Sequence, residues 1–400
     1  MSLLSTSGPD IVSLGCRLNI AESENIRALL GGREAIVINS CAVTAEAVRS
    51  TRRAIRRARA RRPHAPLYVT GCAATIDPQA FRGMVEVDHV VPNAAKLAPE
   101  SWGAAAAPAP PAFTGHARAF VEVQNGCDHG CTFCIIPAGR GASRSLPAGG
   151  VIEHVRALVD GGHREVVLTG VDLTSYGPDL PGRPTLGALV QRILAHVPQL
   201  ERLRLSSLDS IEIDDALFEV LTGEDRVMPH VHLSLQAGDD MVLKRMKRRH
   251  ARADAIRIVE RLKAARPDIA IGADLIAGFP TETPEMFANT ARLIEDCDIV
   301  FAHIFPFSAR EGTPAARMPQ VEPEVIRARA AELRALGEAR KAKWLSDLVG
   351  TTQRVLVERP GDRGHAENFA EIRLPPAAVG SVATVRITAA DGAILTGIPA

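Results

Sequence analysis

Aromatic residues are scarce in this chain, at 4% of its 400 positions, and so is lysine, which supplies only six of the 47 basic residues. With 46 acidic residues against those 47, the formal net charge is +1. No global attraction to a polyanion follows, so any nucleic-acid contact has to come from local patches. The preference for arginine over lysine is one that a GC-rich genome produces as readily as selection does. No apolar run is long enough to span a bilayer, and no membrane partner is expected. The opening MSLLSTSGPD has neither a basic start nor a long apolar stretch and does not read as a signal peptide. Seven cysteines are too few for a disulfide scaffold at this length, which points to a reducing compartment and a cytoplasmic location. What the chain does have is 46% apolar residues, enough to bury more than one core, so two or three domains are expected.

Six of the seven cysteines are placed by a rule. Cys127, Cys131 and Cys134 fall within the eight residues CDHGCTFC, close enough to wrap one metal centre and one ligand short of a closed site. Iron–sulfur clusters are normally held by four thiolates, so three leave one iron free for an exchangeable group. The alternative is a zinc knot completed by His129 or a distant ligand, since zinc also takes cysteine-rich tetrahedral sites. Cys16, Cys41 and Cys72 form a second triplet, each directly after a strand-like run (DIVSLG, AIVINS, PLYVTG). Helical patterns over 21–30 and 45–61 separate those runs, and such alternation builds a parallel sheet with helical crossovers. Parallel strands end on one edge, which gathers these three cysteines where open α/β sheets bind their ligands.

Residues 101–112 (SWGAAAAPAPPA) read as a semi-rigid linker between the two triplets. Beyond it, β-type runs at 119–124, 165–169, 202–206, 231–235, 270–276 and 300–305 alternate with helical patterns, an open (β/α)6 series shorter than a closed eight-unit barrel. After a long helical stretch, 322–348, short alternating runs at 352–358, 370–373 and 381–387 suggest a small all-β barrel beginning near Gly350. The expected domains are 1–100 (parallel α/β), a linker at 101–115, 116–348 (partial barrel) and 349–400 (β-barrel).

With an aromatic, Phe133, before its last cysteine, the tight triplet resembles that of the radical S-adenosylmethionine (SAM) superfamily. The segments LGCRLN, NSCAVT and VTGCAA resemble the amino-terminal domain of the methylthiotransferases, and the carboxyl-terminal segment resembles their small TRAM-like RNA-binding barrel. Within that family, NSCAVT, CTFCIIP, GASRS, SSLDS, LKRMKRRH and AHIFPFSAREGTPAARM resemble the branch that methylthiolates threonylcarbamoyladenosine in tRNA. Asp172-Leu-Thr and 137–140 depart from its usual pattern. The branches acting on isopentenyladenosine or on a ribosomal protein share both triplets, and a metal-stabilised RNA-binding protein without turnover is the reading from another class.

The resemblance implies two [4Fe–4S] clusters, one on Cys127, Cys131 and Cys134 and one on Cys16, Cys41 and Cys72. The first passes an electron into bound SAM, generating a radical that takes hydrogen from adenine carbon 2. The second delivers a methylated sulfur. A cellular electron donor such as flavodoxin or ferredoxin and the tRNA anticodon stem-loop are the implied partners. Gly170, Ser206, Gln236 and Gly278, at strand ends where small groups let the backbone approach a ligand, are the candidate SAM contacts, or else turns that close the barrel. Asp209 is either part of that rim or a helix cap before Ile211. Arg140 and Arg144 either neutralise a cofactor carboxylate or RNA phosphate or are ordinary surface arginines. In the basic run 48–62, Arg49, Arg52, Arg53, Arg56 and Arg59 share one helix face; Arg52, Arg53 and Arg56 are the candidate RNA contacts, the alternative being a solvated face. Cys297 fits no cluster and reads as a buried thiol.

Overall fold

The structure, a computed structural model, describes residues 8–105 and 113–400. Strands Pro9–Ser13, Ala35–Ser40, Leu67–Gly71 and His89–Val90 pair in sequential order, all parallel. Every residue of Ala35–Ser40 is buried, as an interior strand covered on both faces requires. The first crossover helix, Arg17–Leu30, starts four residues before the expected boundary, directly after Cys16. The second, Ala45–Arg61, begins where Thr44 Oγ1 accepts from the backbone N–H of Ala47 (3.1 Å) and buries Thr51, Ile55 and Ala58 at helical spacing. Of the Ala/Pro-rich stretch, residues 106–112 lie outside the described residues. Trp102, at its start, is buried 5.4 Å from the ring of Tyr68 and donates Nε1–H to the carbonyl of Lys96 (2.8 Å), so it packs with the amino-terminal sheet.

Six parallel strands follow, as expected: Ala119–Glu122, Glu165–Thr169, Arg202–Leu205, His230–Gln236, Ala270–Ala277 and Ile299–Pro306. They form two ladders. Arg202–Leu205 pairs with Glu165–Thr169, and its continuation Ser207–Leu208 pairs with His230–Gln236, so the chain changes ladder at Ser206. One parity of each strand, including Val121, Leu168, Leu203, Leu233 and Ile271, packs beneath the helices in one large core. The opposite parity faces the barrel interior and carries its polar side chains, among them Glu165, Arg202, Arg204, His232 and Asp274. At the amino-terminal end, buried Glu165 meets Arg118 Nε (2.7 Å), Arg202 Nε (2.7 Å) and Arg204 Nε (2.9 Å). Burial opposes ionisation of Glu165, but Arg204, Arg118 and Arg202 outweigh it and hold the carboxyl well below the ordinary range.

The last domain is a closed five-stranded barrel of Thr352–Glu358, Arg363–His365, Glu371–Arg373, Val382–Ala390 and Leu395–Pro399 around Val355, Val357, Ile372, Val385 and Leu395. It caps the amino-terminal end of the central barrel. Arg204 donates to the carbonyls of Ala366 (2.7 Å) and Glu367 (2.8 Å), Arg202 to that of Arg354 (3.2 Å), and Arg118 also pairs with Glu358. Phe369 lies under Arg204 (5.0 Å) and Arg118 (5.5 Å), and its ring is 4.9 Å from that of His230.

Candidate active site

Parallel strands place their carboxyl ends on one rim, and each triplet gathers on such a rim. Cys127, Cys131 and Cys134 lie in the loop after the first barrel strand. Thr132 anchors that loop, its hydroxyl donating to the carbonyl of Arg245 (2.8 Å) and its N–H to that of Met246 (3.1 Å). N–H groups are aimed at the sulfurs: His129 N at Cys127 Sγ (3.4 Å), Ile136 N at Cys134 Sγ (3.4 Å), Arg248 Nη1 at Cys131 Sγ (3.7 Å). Arg248 is itself fixed by Asp209 Oδ2 (2.9 Å) and the carbonyl of Ser234 (2.9 Å). Asp209 Oδ1 also accepts from Ile211 N (3.5 Å), so it is both the expected cap and the residue that orients Arg248.

No disulfide joins these thiols. Burial, then Asp172, Cys134 and Cys131, push Cys127 up to about 12; burial and Cys131 push Cys134 up to about 11. Three crowded thiols, each met by an N–H donor, fit a cationic centre that takes thiolates. His129, the alternative zinc ligand, lies with Nε2 2.8 Å from Asp172 Oδ2; ligand atoms of Cys127, His129 and Asp172 fall within 4.8 Å of one another. That hydrogen bond to Asp172 raises the His129 pKa against the effect of burial, while Asp172, despite its own burial, is held low by His129 and Ser175.

The second triplet gathers in the same way at the ends of the amino-terminal strands. Cys16 is exposed, Cys41 half-buried and Cys72 buried; burial raises the Cys41 thiol, and Cys16 and Cys72 raise it further. Gly15, at φ +94°, lets the loop pass Cys41, where a side-chain carbon would stand 2.8 Å from its Sγ.

The two triplets are neighbours. A side-chain carbon at Gly139 would come 3.1 Å from Cys72 Cβ, and Asn93 Nδ2 donates to the carbonyl of Gly139 (2.6 Å) while lying 3.7 Å from Cys72 Sγ. Arg140 clamps the domains together, donating to Glu22 Oε1 (2.9 Å) and Oε2 (3.1 Å), Asn19 Oδ1 (2.5 Å) and Asn125 Oδ1 (3.0 Å); Lys96 Nζ completes the network at Glu22 Oε2 (2.5 Å). Arg140 is thus a buried interdomain link, neither a surface residue nor a phosphate contact, and Arg144 donates to its carbonyl (3.0 Å). Sequence patterning missed Glu22, Asn93, Lys96 and Arg248. Only the LKRMKRRH run hinted at Arg248, and nothing in it separates that side chain, 7% exposed, from Arg249 at 47%.

Gly170, Ser206, Gln236 and Gly278 all fall at carboxyl ends of barrel strands. Ser206 is buried with its hydroxyl unpartnered among the described residues, and Gln236 adopts φ +70°. Gly170 also has a packing reason, the side chain of Gln124, which accepts from Val171 N (3.0 Å) and Asp172 N (2.9 Å); at Gly278 the space is filled by Ile326. On the basic helix, Arg53 pairs with Glu46 (2.5 Å), Arg56 lies 3.8 Å from Glu86, and Arg52 stands over Phe81 (5.9 Å). Arg59, expected on the same face, is spent on the fold: it donates to the carbonyls of Ala65 and Glu86 and pairs with Asp88. Cys297 is fully buried.

An open six-unit β/α barrel with a three-cysteine loop after its first strand defines a radical SAM protein, and residues 121–294 match the Radical SAM superfamily model. Residues 10–92 match the uncharacterized protein family UPF0004. A solved radical SAM methyltransferase, TsrM from Kitasatospora setae, shares the fold at TM-score 0.55 and 15% identity, covering 76% of this chain and 78% of its own. The threonylcarbamoyladenosine tRNA methylthiotransferase MtaB of Rickettsia prowazekii is 47% identical over 91% of both chains, and a tRNA-2-methylthio-N(6)-dimethylallyladenosine synthase of Cereibacter sphaeroides is 33% identical over 97% of both. The chain belongs to the radical SAM tRNA methylthiotransferase family. The family uses SAM and two [4Fe–4S] clusters. No helix among the described residues is long and apolar enough to cross a membrane.

Proposed function

We propose that this chain converts N6-threonylcarbamoyladenosine beside the tRNA anticodon to its 2-methylthio derivative, with Cys127, Cys131 and Cys134 holding one cluster and Cys16, Cys41 and Cys72 the other. The observation that carries this reading is the adjacency of two thiol triplets from two domains, Gly139 against Cys72 with Asn93 between the loops. The relative named for threonylcarbamoyladenosine is the more similar, 47% against 33%, which favours that substrate over the dimethylallyl one. When bound, the two clusters and SAM supply radical hydrogen abstraction and sulfur transfer.

The chain's own residues hold that chemistry in place. Arg248, set by Asp209, puts positive charge beside Cys131, and Gln124 fixes the Val171–Asp172 backbone at the rim. The unpartnered Ser206 hydroxyl offers a hydrogen bond to a polar cofactor such as SAM, and Gly170, Gln236 and Gly278 line the same set of strand ends. Arg140 and Asn93 keep the two loops from sliding past each other. On the exposed helix face, Arg52, Arg53 and Arg56 meet tRNA phosphate, exchanging Glu46 and Glu86 for the RNA, so affinity falls as salt rises. A flavodoxin- or ferredoxin-type donor supplies the electron.

The test is mass spectrometry of nucleosides after the anaerobically reconstituted protein, SAM and a reductant act on tRNA carrying threonylcarbamoyladenosine. A 2-methylthio product is expected. Its absence, with methylthiolation of isopentenyladenosine tRNA instead, would overturn the substrate assignment.

A further inference from the structure

Part of the barrel interior carries charged groups that neither cluster accounts for. Arg17 directly follows Cys16, and its guanidinium reaches inward to 5.6 Å from the Phe369 ring centroid. The neighbouring interior arginines are all paired: Arg118 with Glu165 and Glu358, Arg202 and Arg204 with Glu165 and backbone carbonyls. Arg17 alone among these four has no hydrogen-bond or ion-pair partner among the described residues; only the Phe369 ring meets it. Burial lowers its pKa and Arg118 adds to that, with Glu165 and Asp274 opposing. An interior guanidinium left without a hydrogen-bond acceptor is costly to keep unless something supplies one.

Beside it stands a second polar group. Asp274 Oδ1 lies 2.9 Å from His232 Nε2 and 3.3 Å from His303 Nδ1, the three side chains coming from adjacent strands. Arg17 and His230 both stand against the Phe369 ring, at 5.6 and 4.9 Å, and His232, two residues along the same strand, has its ring 4.6 Å from that of His303, which places them around one space. His303 is 58% exposed where His232 is only 8%, so this space opens to solvent along the edge strand Ile299–Pro306.

We infer that this space reads the threonine portion of the substrate's N6 substituent, its carboxylate on Arg17 and its hydroxyl on the His303–Asp274 pair. This rests on the functional reading above. In adenine, carbon 2 and N6 both flank the N1 side of the base, so a residue next to a cysteine serving carbon 2 is well placed for what hangs from N6. A substituent with an anion and a hydroxyl satisfies both groups. A purely apolar one leaves Arg17 unpaired, and such a mismatch is how a site rejects the wrong ligand.

The test is a binding matrix by fluorescence anisotropy, using the protein with both clusters loaded and three anticodon stem-loop RNAs. One carries N6-threonylcarbamoyladenosine, one its carboxamide, and one the glycylcarbamoyl analogue that lacks the hydroxyl. Wild type should prefer the carboxylate over the carboxamide by about ten- to a hundredfold, the usual scale of a charge-assisted hydrogen bond. Arg17→Gln should bind the two alike, Arg17→Lys should recover part of the preference, and His303→Ala should lose the preference for threonyl over glycyl. Iron content and thermal unfolding identify any variant that misfolds, and the His303 arm then carries the decision. The inference is overturned if wild type does not discriminate, or if Arg17→Gln, folded and loaded, discriminates as wild type does. Failure of wild type to convert the threonylcarbamoyl RNA sinks the functional reading itself; conversion with unaltered discrimination in Arg17→Gln sinks only this inference.

Discussion

Replacing Glu165 with Gln removes the one acid that Arg118, Arg202 and Arg204 share at the seam between the central and carboxyl-terminal barrels. The site is fully buried, so solvent does not screen the loss, and breaking one side of a buried ion pair typically costs about 3–5 kcal/mol. Arg118 keeps Glu358, and the other two keep their carbonyls, which makes the lower half of that range the expectation. At roughly 2–4 °C per kcal/mol for a domain of this size, the central-domain transition should fall by about 6–16 °C. The same pair of proteins gives a pH test. The folded pKa of Glu165 is depressed, so its stabilisation is complete above the unfolded carboxyl value of about 4.3 and is lost as pH falls toward the folded value. Below about pH 4 the gap between wild type and Glu165→Gln should close by about 1.4 kcal/mol per pH unit. Anaerobic thermal and urea unfolding between about pH 3.5 and 7 measures both. A loss under about 1 kcal/mol at neutral pH, or a gap indifferent to pH, would refute the idea that this layer joins the two barrels.

Joint replacement of Cys127, Cys131 and Cys134 by Ala should halve bound iron and abolish reductive cleavage of SAM, whereas Cys16→Ala, Cys41→Ala or Cys72→Ala should leave cleavage measurable and eliminate methylthio product. Gly15→Ala should displace Cys41 and lower iron toward half, read by iron assay, with the Cys127 loop unaffected. Arg140→Ala leaves buried Glu22 with Lys96 as its one cation beside the Asn125 amide, and should cost about 3 kcal/mol in urea unfolding; a variant as stable as wild type would show that the clamp holds nothing.

Strand positions and the six patterned cysteines were legible because alternation and cysteine placement are local signals. Glu165–Thr169 matches its expected span, and the barrel strands near 202, 231, 270 and 300 fall within a residue or two of theirs. What escaped is pairing between residues far apart in the chain. Arg140 and Glu22 are 118 positions apart, Arg204 and Ala366 162, and no periodicity marks either pair. The barrel interior was hidden for a related reason. Its strands read as apolar runs because one parity is apolar, while the other parity, Arg202, Arg204, His230, His232 and Asp274, finds its partners only after closure. The same closure decides what removal of residues 349–400 would do. The last barrel forms the floor of the central one, so a truncation would expose the Glu165 layer and disturb more than RNA binding.

The hydrogen bond from Asn93 to Gly139 and the packing of Gly139 on Cys72 have a consequence for how the two halves of the molecule depend on each other. The gap between the sulfur-bearing loops is held by contacts across an interface, independently of the peptide connection between them. Glycine–serine inserts between Ala105 and Phe113 should therefore leave turnover nearly unchanged, and a break there should yield two polypeptides that reassemble. Continuity of the chain then serves chiefly to keep the halves in equal supply.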